Sequence, residues 1–178
     1  MKAEGLSEFQ YGNWFPDGRR LLLCATESGH AMRLYVLPIE GGTPKPISPE
    51  GFAIKTFGNS ISPDGRFVAA IDPDKRAWLV PTDGSEGKPI AGMEPGEVPL
   101  QWSADGGSLY LMRGGEVPGK VWRLNLPTGK RSFVMDLIPA DSAGVISLEA
   151  VLLTPDARSY AYSYYNNLSD LYLVDGLN

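Results

Sequence analysis

The sequence of 178 residues carries 16 Lys and Arg against 21 Asp and Glu, a net charge of −5, and 43% of it is apolar. This length and composition predict one globular domain with a hydrophobic core of its own. The single cysteine excludes an intrachain disulfide, and the single histidine disfavours His-cluster metal sites and histidine-based triads. The acidic balance disfavours nucleic acid and anionic membrane as partners. We therefore expect no cofactor, no metal and no nucleic-acid partner.

The sequence shows no targeting or membrane signal. The first ten residues, MKAEGLSEFQ, contain no apolar run. No stretch of about 18 apolar residues occurs that would cross a bilayer. We predict a soluble chain with no membrane-binding segment, cytoplasmic as written, and periplasmic or otherwise extracytoplasmic if it was excised from a membrane-anchored parent.

Four copies of one pattern run through the chain. Each copy has an apolar residue, a turn resembling Ser-Pro-Asp-Gly and a short apolar run. The turn aspartates are separated by 47, 41 and 51 residues, which is near the period of a four-stranded propeller blade. These aspartates are Asp17, Asp64, Asp105 and Asp156.

The turn residues predict a bulged hairpin. Pro63 presets its own φ, Asp64 can bind nearby backbone N–H groups, and Gly65 suits the left-handed conformation. This local bonding explains the aspartates without a metal ion. The fourth copy has Ala157 in place of the glycine. Because alanine tolerates positive φ less well than glycine, we expect a different shape for that turn.

A second aligned block follows each turn and predicts two further strands. The block has an aromatic residue between apolar neighbours, then a turn signal, then a short run in which prolines suit an outer edge strand. Each repeat therefore reads as four antiparallel strands, named a to d from inside to outside, and no segment has a helical period. The aromatic residues are Tyr35, Trp78, Trp122 and Tyr172.

These strands predict an all-β β-propeller of four-stranded antiparallel blades, with four repeats in one domain spanning 1–178. The blades fall at about 9–48, 52–91, 98–137 and 146–178. The last repeat ends with its strand c, from Asp170 to Leu177, and residues 1–8 suit a loop better than the missing strand d. Three arrangements stay open: a self-closed four-bladed ring, a homodimer that closes an eight-bladed ring, and further blades in a longer parent.

The two blocks resemble the PD40 repeat, the WD40-like repeat of TolB-type β-propellers. The resemblance rests on Trp14–Gly18, Ser62–Gly65, Trp102–Gly106 and Thr154–Asp156, and it implies a platform for binding. The sequence is also similar to the C-terminal propeller region of bacterial, acidobacterial-type, serine/threonine kinases or winged-helix regulators. No kinase motif occurs here, so any kinase domain would lie elsewhere in a parent protein.

Up-and-down strand order places the b–c loops and the connections between repeats on one face of the propeller. We call this the b–c face; it comprises residues 26–31, 72–75, 113–119 and 163–169 with the connections 48–57, 92–98 and 138–145. Loops of this kind are the best placed for binding. The candidate ligand-binding residues on it are His30, Asp72, Arg113, Glu116, Tyr164, Tyr165 and Asn166.

Each candidate also has a purely structural interpretation. His30 has no visible triad partner and suits an exposed loop. Asp72 suits turn chemistry better than calcium binding, and the tyrosines suit packing between blades equally well. Cys24, in a strand b, suits a small buried residue and not a nucleophile.

The sequence favours a non-catalytic WD40-like propeller that binds a protein, peptide or small ligand. We expect it to be the sensory or scaffold part of a larger signalling protein, with no catalytic residue of its own. Two alternatives stay open. One is a hydrolase- or lyase-type enzyme with its site in the central channel, and the other is a purely structural half-propeller.

Overall fold

A computed structural model describes residues 5–55 and 58–169 of the chain. Within these residues the regular structure consists of β-strands alone, and no helix that could cross a membrane is found among them. The strands are β1 (Leu6–Trp14), β2 (Arg20–Glu27), β3 (Arg33–Pro38), β4 (Lys45–Pro46), β5 (Phe67–Ile71), β6 (Ala77–Pro81), β7 (Lys88–Pro89), β8 (Glu97–Trp102), β9 (Ser108–Arg113), β10 (Gly119–Asn125), β11 (Arg131–Leu137), β12 (Val145–Leu153) and β13 (Tyr160–Asn166).

The strands form four antiparallel sheets in chain order. The first sheet has the order β1-β2-β3-β4, the second β5-β6-β7, the third β8-β9-β10-β11, and the fourth β12-β13. Every neighbour in a sheet is also a neighbour in the chain, which is the meander expected of propeller blades. The predicted all-β propeller architecture is therefore confirmed.

The turn between the first two strands of a repeat is the same in all four copies. The backbone N–H of its last residue donates to the carbonyl three residues earlier, over 2.8 to 2.9 Å. That last residue has φ between 54° and 70°, in the left-handed region. The four residues are Gly18, Gly65, Gly106 and Ala157.

Ala157 corrects one expectation from the sequence. Its φ of 54° and its hydrogen bond to Thr154 reproduce the glycine turns, so the fourth turn does not have a different shape. Side-chain bonds hold the turn, because Thr154 Oγ1 donates to Asp156 Oδ1 over 2.6 Å. The Arg158 N–H donates to the same carboxylate oxygen over 3.0 Å.

The turn aspartates act locally, as their sequence context indicates. Ser62 Oγ donates to Asp64 over 2.6 Å, and Ser103 Oγ donates to Asp105 over 2.5 Å. These hydroxyl bonds, followed by backbone N–H groups, hold the pKa of each carboxyl below its usual 3.8. In the first copy the Arg19 N–H, and then Arg20, have the same effect on the pKa of Asp17.

Alternation along the strands distributes the apolar residues between neighbouring sheets. In β2, Leu22 and Cys24 face the second sheet, and they are buried with Val68 and Ala70 of β5. The alternate residues of β5, Ala69 and Ile71, face the third sheet. Each middle sheet is thus apolar on both faces, as in stacked propeller blades. A third cluster joins the third and fourth sheets and contains Leu100, Tyr110, Met112, Val121, Leu137, Leu148, Val151 and Leu153.

Two tryptophans at equivalent positions have different surroundings. Trp102 is 2% exposed, and its Nε1–H donates to the Ser60 carbonyl of the second repeat over 2.9 Å. Trp14 is 55% exposed, and most of β1 is open to solvent. The first strands of the first and third repeats therefore differ in burial, although their sequences around the tryptophan are similar.

The structure differs from two further strand predictions and leaves a third outside the described residues. In the described part of strand a of the second repeat, the pairing consists of two isolated bridges, Ala53 with Ile71 and Ile61 with Val68. Residues 6–8 belong to β1, where Leu6 is paired with Glu27, and not to a loop. The predicted last strand, Asp170 to Leu177 with Tyr172, lies outside the described residues.

Candidate binding face

The b–c loops and the connections between repeats meet on the b–c face. His30 Nδ1 lies 2.6 Å from Glu50 Oε1, across the first b–c loop and the first connection. The Gly114 N–H donates to the Gly96 carbonyl over 3.3 Å in the third repeat. In the fourth repeat, the Asn167 N–H donates to the Gly144 carbonyl over 2.9 Å.

His30 is exposed and closes a loop by its contact with Glu50. The second oxygen of Glu50 accepts the Ala31 N–H over 3.1 Å. The hydrogen bond with His30, and after it the Ala31 N–H, keeps the pKa of Glu50 below its usual 4.5. His30 is thus an anchor between two loops of the first repeat.

Asp72 is buried and supports a turn. Its Oδ1 accepts the Arg76 N–H over 2.8 Å, and its Oδ2 accepts the Trp78 Nε1–H over 2.8 Å. Both carboxylate oxygens are therefore occupied within one hairpin. Trp78 in turn packs edge-to-face on Phe52, with ring centroids 5.7 Å apart.

Arg113 and Glu116 belong to an ion network on the third repeat. Arg113 Nη2 lies 2.8 Å from Glu94 Oε2, and Arg113 Nη1 lies 3.4 Å from Glu116 Oε1. Arg131 joins the network, 2.9 Å from Glu94 and 2.5 Å from Glu97. Glu97 is only 4% exposed, so Arg131 neutralises a carboxylate that is buried.

Three residues of this ion network were not among the predicted site residues: Glu94, Glu97 and Arg131. The Glu94 N–H donates to Glu97 Oε2 over 2.7 Å, which fixes the entry to β8. Arg131 also lies over the Trp122 ring, 5.0 Å from its centroid. A buried glutamate at a strand start leaves no mark in a sequence, since its partner is 34 residues away.

The tyrosine candidates lie in a strand and not in a loop. Tyr164 and Tyr165 belong to β13, as does Asn166, and the two tyrosines are 45% and 59% exposed. Tyr160, Tyr162 and Tyr164 form a row, with successive ring centroids 6.2 and 6.5 Å apart. Val151 and Leu153, which pair with Tyr162 and Tyr160, are buried against the third sheet, so this row faces that sheet.

A cavity of about 400 Å³ opens at the b–c face between the second, third and fourth sheets. This volume lies in the range of small-ligand sites. Most of its lining is apolar, and four charged residues surround it. The lining residues are Lys55, Ile71, Lys75, Gly96, Glu97, Val98, Leu100, Met112, Gly114, Leu148, Glu149 and Val151.

Lys75 stands out among these lining residues by its backbone. Its φ is +64°, and its N–H closes the turn on the Asp72 carbonyl over 3.0 Å. In the first and third b–c loops, glycines take the positive φ, Gly29 at 81° and Gly115 at 80°. A lysine in this conformation is strained where a glycine would not be, as is Ala157 in the turn of the fourth repeat.

A second cavity, of about 510 Å³, lies between the first two sheets. Asp72 lines it together with Arg33, Phe52, Trp78 and Glu86. Its charged residues are already engaged, since Arg33 lies 2.8 Å from Glu27 and Asp72 is bonded as described.

The seven predicted residues do not form one site. Arg113 and Glu116 contact each other, whereas His30 is bound to Glu50 and Asp72 to its own hairpin. None of the seven lines the 400 Å³ cavity. The sequence did place Lys75 in the b–c loop 72–75. It could not show that this lysine lines the cavity, because the other lining residues come from distant parts of the chain.

Cys24 is a packed core residue. It is buried, and burial raises the pKa of its thiol. Its Sγ lies 3.9 Å from the Phe52 carbonyl. In the described part of the chain, no group of three or more His, Cys, Asp or Glu side chains is placed to hold a metal ion.

Comparison with known proteins identifies the fold. No protein-family model matches the sequence, and a search of curated proteins found no match. The chain is similar to the structure of a TolB from Agrobacterium tumefaciens, at 21% identity, a TM-score of 0.60 and 87% coverage of this chain. It is also similar to TolB from Acinetobacter baumannii, at 14% identity, a TM-score of 0.64 and 92% coverage. An oligogalacturonate lyase from Vibrio parahaemolyticus aligns at 17% identity, a TM-score of 0.61 and 91% coverage.

These similarities establish a TolB-type β-propeller fold. This chain covers 53%, 39% and 47% of the three solved structures, so it spans about half of their length or less. At these identities the likeness concerns the fold alone, because one propeller scaffold carries many unrelated sites.

Proposed function

We propose that the chain is a non-catalytic propeller module that binds a ligand at its b–c face. The observation that carries the proposal is the cavity of about 400 Å³, which is walled by apolar side chains of three sheets. A concave apolar site with a few charged groups is the usual form of a small-ligand site. A peptide or protein ligand would extend from this cavity over the face toward Arg113 and Tyr164.

The surroundings of the reactive residues favour binding over the enzyme alternative. His30 is committed to Glu50, and Cys24 is buried with a raised thiol pKa. Neither residue lines the 400 Å³ cavity. A hydrolase or lyase would need other groups to activate water or to abstract a proton.

The proposed setting is a sensory or scaffold segment of a larger signalling protein. This chain covers about half or less of the solved propellers that it resembles, which supports a larger ring. On the fourth sheet, Leu152 and Tyr165 are exposed, as expected for a surface that another blade covers. Light scattering distinguishes the arrangements. Twice the formula mass of 19.3 kDa supports a homodimeric ring, and the single mass supports further blades in a parent or closure by four blades.

The binding proposal is tested by filling the cavity. Gly114 lines it, and no heavy atom lies within 4 Å of the position of an added Cβ. Gly114→Trp should therefore fill the cavity without breaking the sheet. Glu40→Trp is the matched control, in the exposed turn between β3 and β4 on the opposite face.

The readout is a thermal-shift screen of sugars, nucleotides, peptides and small organic acids. A ligand that binds only the folded chain raises the melting temperature. We expect the hits of the parent chain to persist in Glu40→Trp and to be lost in Gly114→Trp. Hits that survive in Gly114→Trp would place the binding site elsewhere and contradict the proposal.

A further inference from the structure

We infer that the 400 Å³ cavity takes an organic anion: a ligand with a carboxylate group and an apolar body. This inference rests on the proposed binding function of the b–c face and specifies the chemistry of its ligand. The two observations that carry it are the lysines of the lining, which have no ion pair with the described residues, and the apolar character of the walls.

Two lysines of the lining are the cations available to an anionic ligand. Lys55 and Lys75 both line the cavity, and neither ammonium group has an ion pair with the described residues. Glu97 is neutralised by Arg131 over 2.5 Å. Glu149, which accepts a hydrogen bond from Ser147 Oγ over 2.5 Å, is the one lining carboxylate not engaged with a cation in the described part of the chain.

The two lysines come from separate segments that the fold brings together. Lys55 lies in the connection between the first and second repeats, whereas Lys75 ends the b–c turn of the second repeat. Glu149 belongs to β12 of the fourth sheet, whereas neither lysine does. An anionic group is attracted to the two ammonium groups, and a cationic group is repelled by them.

The backbone at Lys75 fixes where this side chain leaves its turn. Its φ of +64° and the bond of its N–H to the Asp72 carbonyl give it the same turn position as Ala157 in the fourth repeat. Glycine or asparagine would relieve the strain at Lys75.

The walls suit an apolar body. Ile71, Leu100, Met112, Leu148 and Val151 line the cavity from three different sheets. All five side chains are buried, so their positions are fixed by packing and not by a ligand. The second cavity lacks this combination, because Arg33 there is paired with Glu27 and Asp72 and Glu86 add negative charge.

The test compares three probes with the same eight-carbon tail: octanoate, 1-octanol and octylamine. Affinities are measured by calorimetry on the full chain at low ionic strength. Binding of 1-octanol reports the apolar cavity, and the difference between octanoate and 1-octanol reports the lysines. We expect octanoate to bind at least fivefold more tightly than 1-octanol and octylamine to bind most weakly. The preference for octanoate should shrink as salt is added.

The variants assign the preference to the two lysines. Lys55→Met and Lys75→Met together remove the charges and keep the length of the side chains. The double variant should lose the octanoate preference and bind 1-octanol as before. Lys88→Met with Lys130→Met is the control, since it removes the same charge from exposed positions that do not line this cavity. Equal unfolding midpoints confirm that the variants are folded.

The outcomes separate this inference from the proposed function. Binding of 1-octanol with no preference for octanoate, or tighter binding of octylamine, overturns the anion inference and leaves the binding cavity supported. A preference that survives the Lys55 and Lys75 substitutions also overturns it. Absence of binding by all three probes overturns the inference, and the Gly114→Trp screen then decides the proposed function on its own.

Discussion

Exchanging the last turn residue between the first and fourth repeats tests whether these turns share one backbone conformation. Ala157 occupies the left-handed position with φ of 54°, where Gly18 has 65°. The left-handed conformation costs an L-residue about 1–2 kcal/mol that glycine does not incur. Glycine in turn adds about 0.4–1 kcal/mol of backbone entropy to the unfolded chain. The difference favours glycine by roughly 0.5–1 kcal/mol.

Ala157→Gly should therefore raise the free energy of unfolding by about 0.5–1 kcal/mol, and Gly18→Ala should lower it by a similar amount. The space around Gly18 is open, with no heavy atom within 4 Å of an added Cβ, so the effect comes from the backbone alone. Urea unfolding followed by tryptophan fluorescence measures both changes at a constant m-value.

Gly114→Ala is the control for this exchange. Gly114 also has open space and no positive φ, so alanine there should be neutral or slightly stabilising. Destabilisation by Ala157→Gly, together with no effect of Gly18→Ala, would refute the conclusion that the four turns share one backbone shape.

Three further predictions concern acid stability, a buried hydrogen bond and tight packing. The pKa of Asp64 is lowered in the folded chain, chiefly by the Ser62 hydroxyl. Its contribution to stability is therefore present above about pH 4 and is lost as the pH falls through the folded pKa. In urea unfolding, Asp64→Asn should lower the free energy of unfolding at pH 7 and do so much less at pH 2. Trp102→Phe should lower the free energy of unfolding by about 1–3 kcal/mol, measured by thermal unfolding, because it removes the hydrogen bond to the Ser60 carbonyl and leaves a void. A loss below about 0.5 kcal/mol would contradict a stabilising role for this hydrogen bond. Gly119→Ala should lower the free energy of unfolding by about 1–3 kcal/mol, because the added Cβ would lie 2.5 Å from Leu148 Cδ1. Gly114→Ala again serves as the control.

The strands and turns were predictable from the sequence because their causes are local. A Pro-Asp-Gly turn sets the backbone within four residues, and alternation sets the faces of the strands that flank it. The alanine in the fourth turn misled the prediction, because the bonds from Thr154 and Arg158 to Asp156 hold the turn without a glycine.

Features that depend on distant neighbours were not predictable. Trp14 and Trp102 stand in similar sequences, yet Trp102 reaches a carbonyl 42 residues away and Trp14 faces solvent. The first strand of the second repeat has no local signal for its weakness, and among its described residues the pairing consists of the bridges at Ala53 and Ile61.

The site was predictable as a face but not as a cavity. The order of the strands places the b–c loops beside the connections, and the contact of His30 with Glu50 agrees with that placement. The cavity needs side chains from three sheets, and Lys55 and Lys75 line it from two separate segments of the chain. Neither the strained φ of Lys75 nor the pairing of Glu97 with Arg131 has a signature in one sequence.

The most direct measurement of the binding account is a map of backbone amide chemical shifts during titration with octanoate. We expect the perturbed amides to cluster at residues 71–75, 96–98, 112–114 and 148–151, which surround the cavity. The turns at residues 16–18 and 63–65, on the opposite face, should keep their shifts. Perturbations centred on those turns, or spread evenly over the chain, would contradict the b–c face as the binding site.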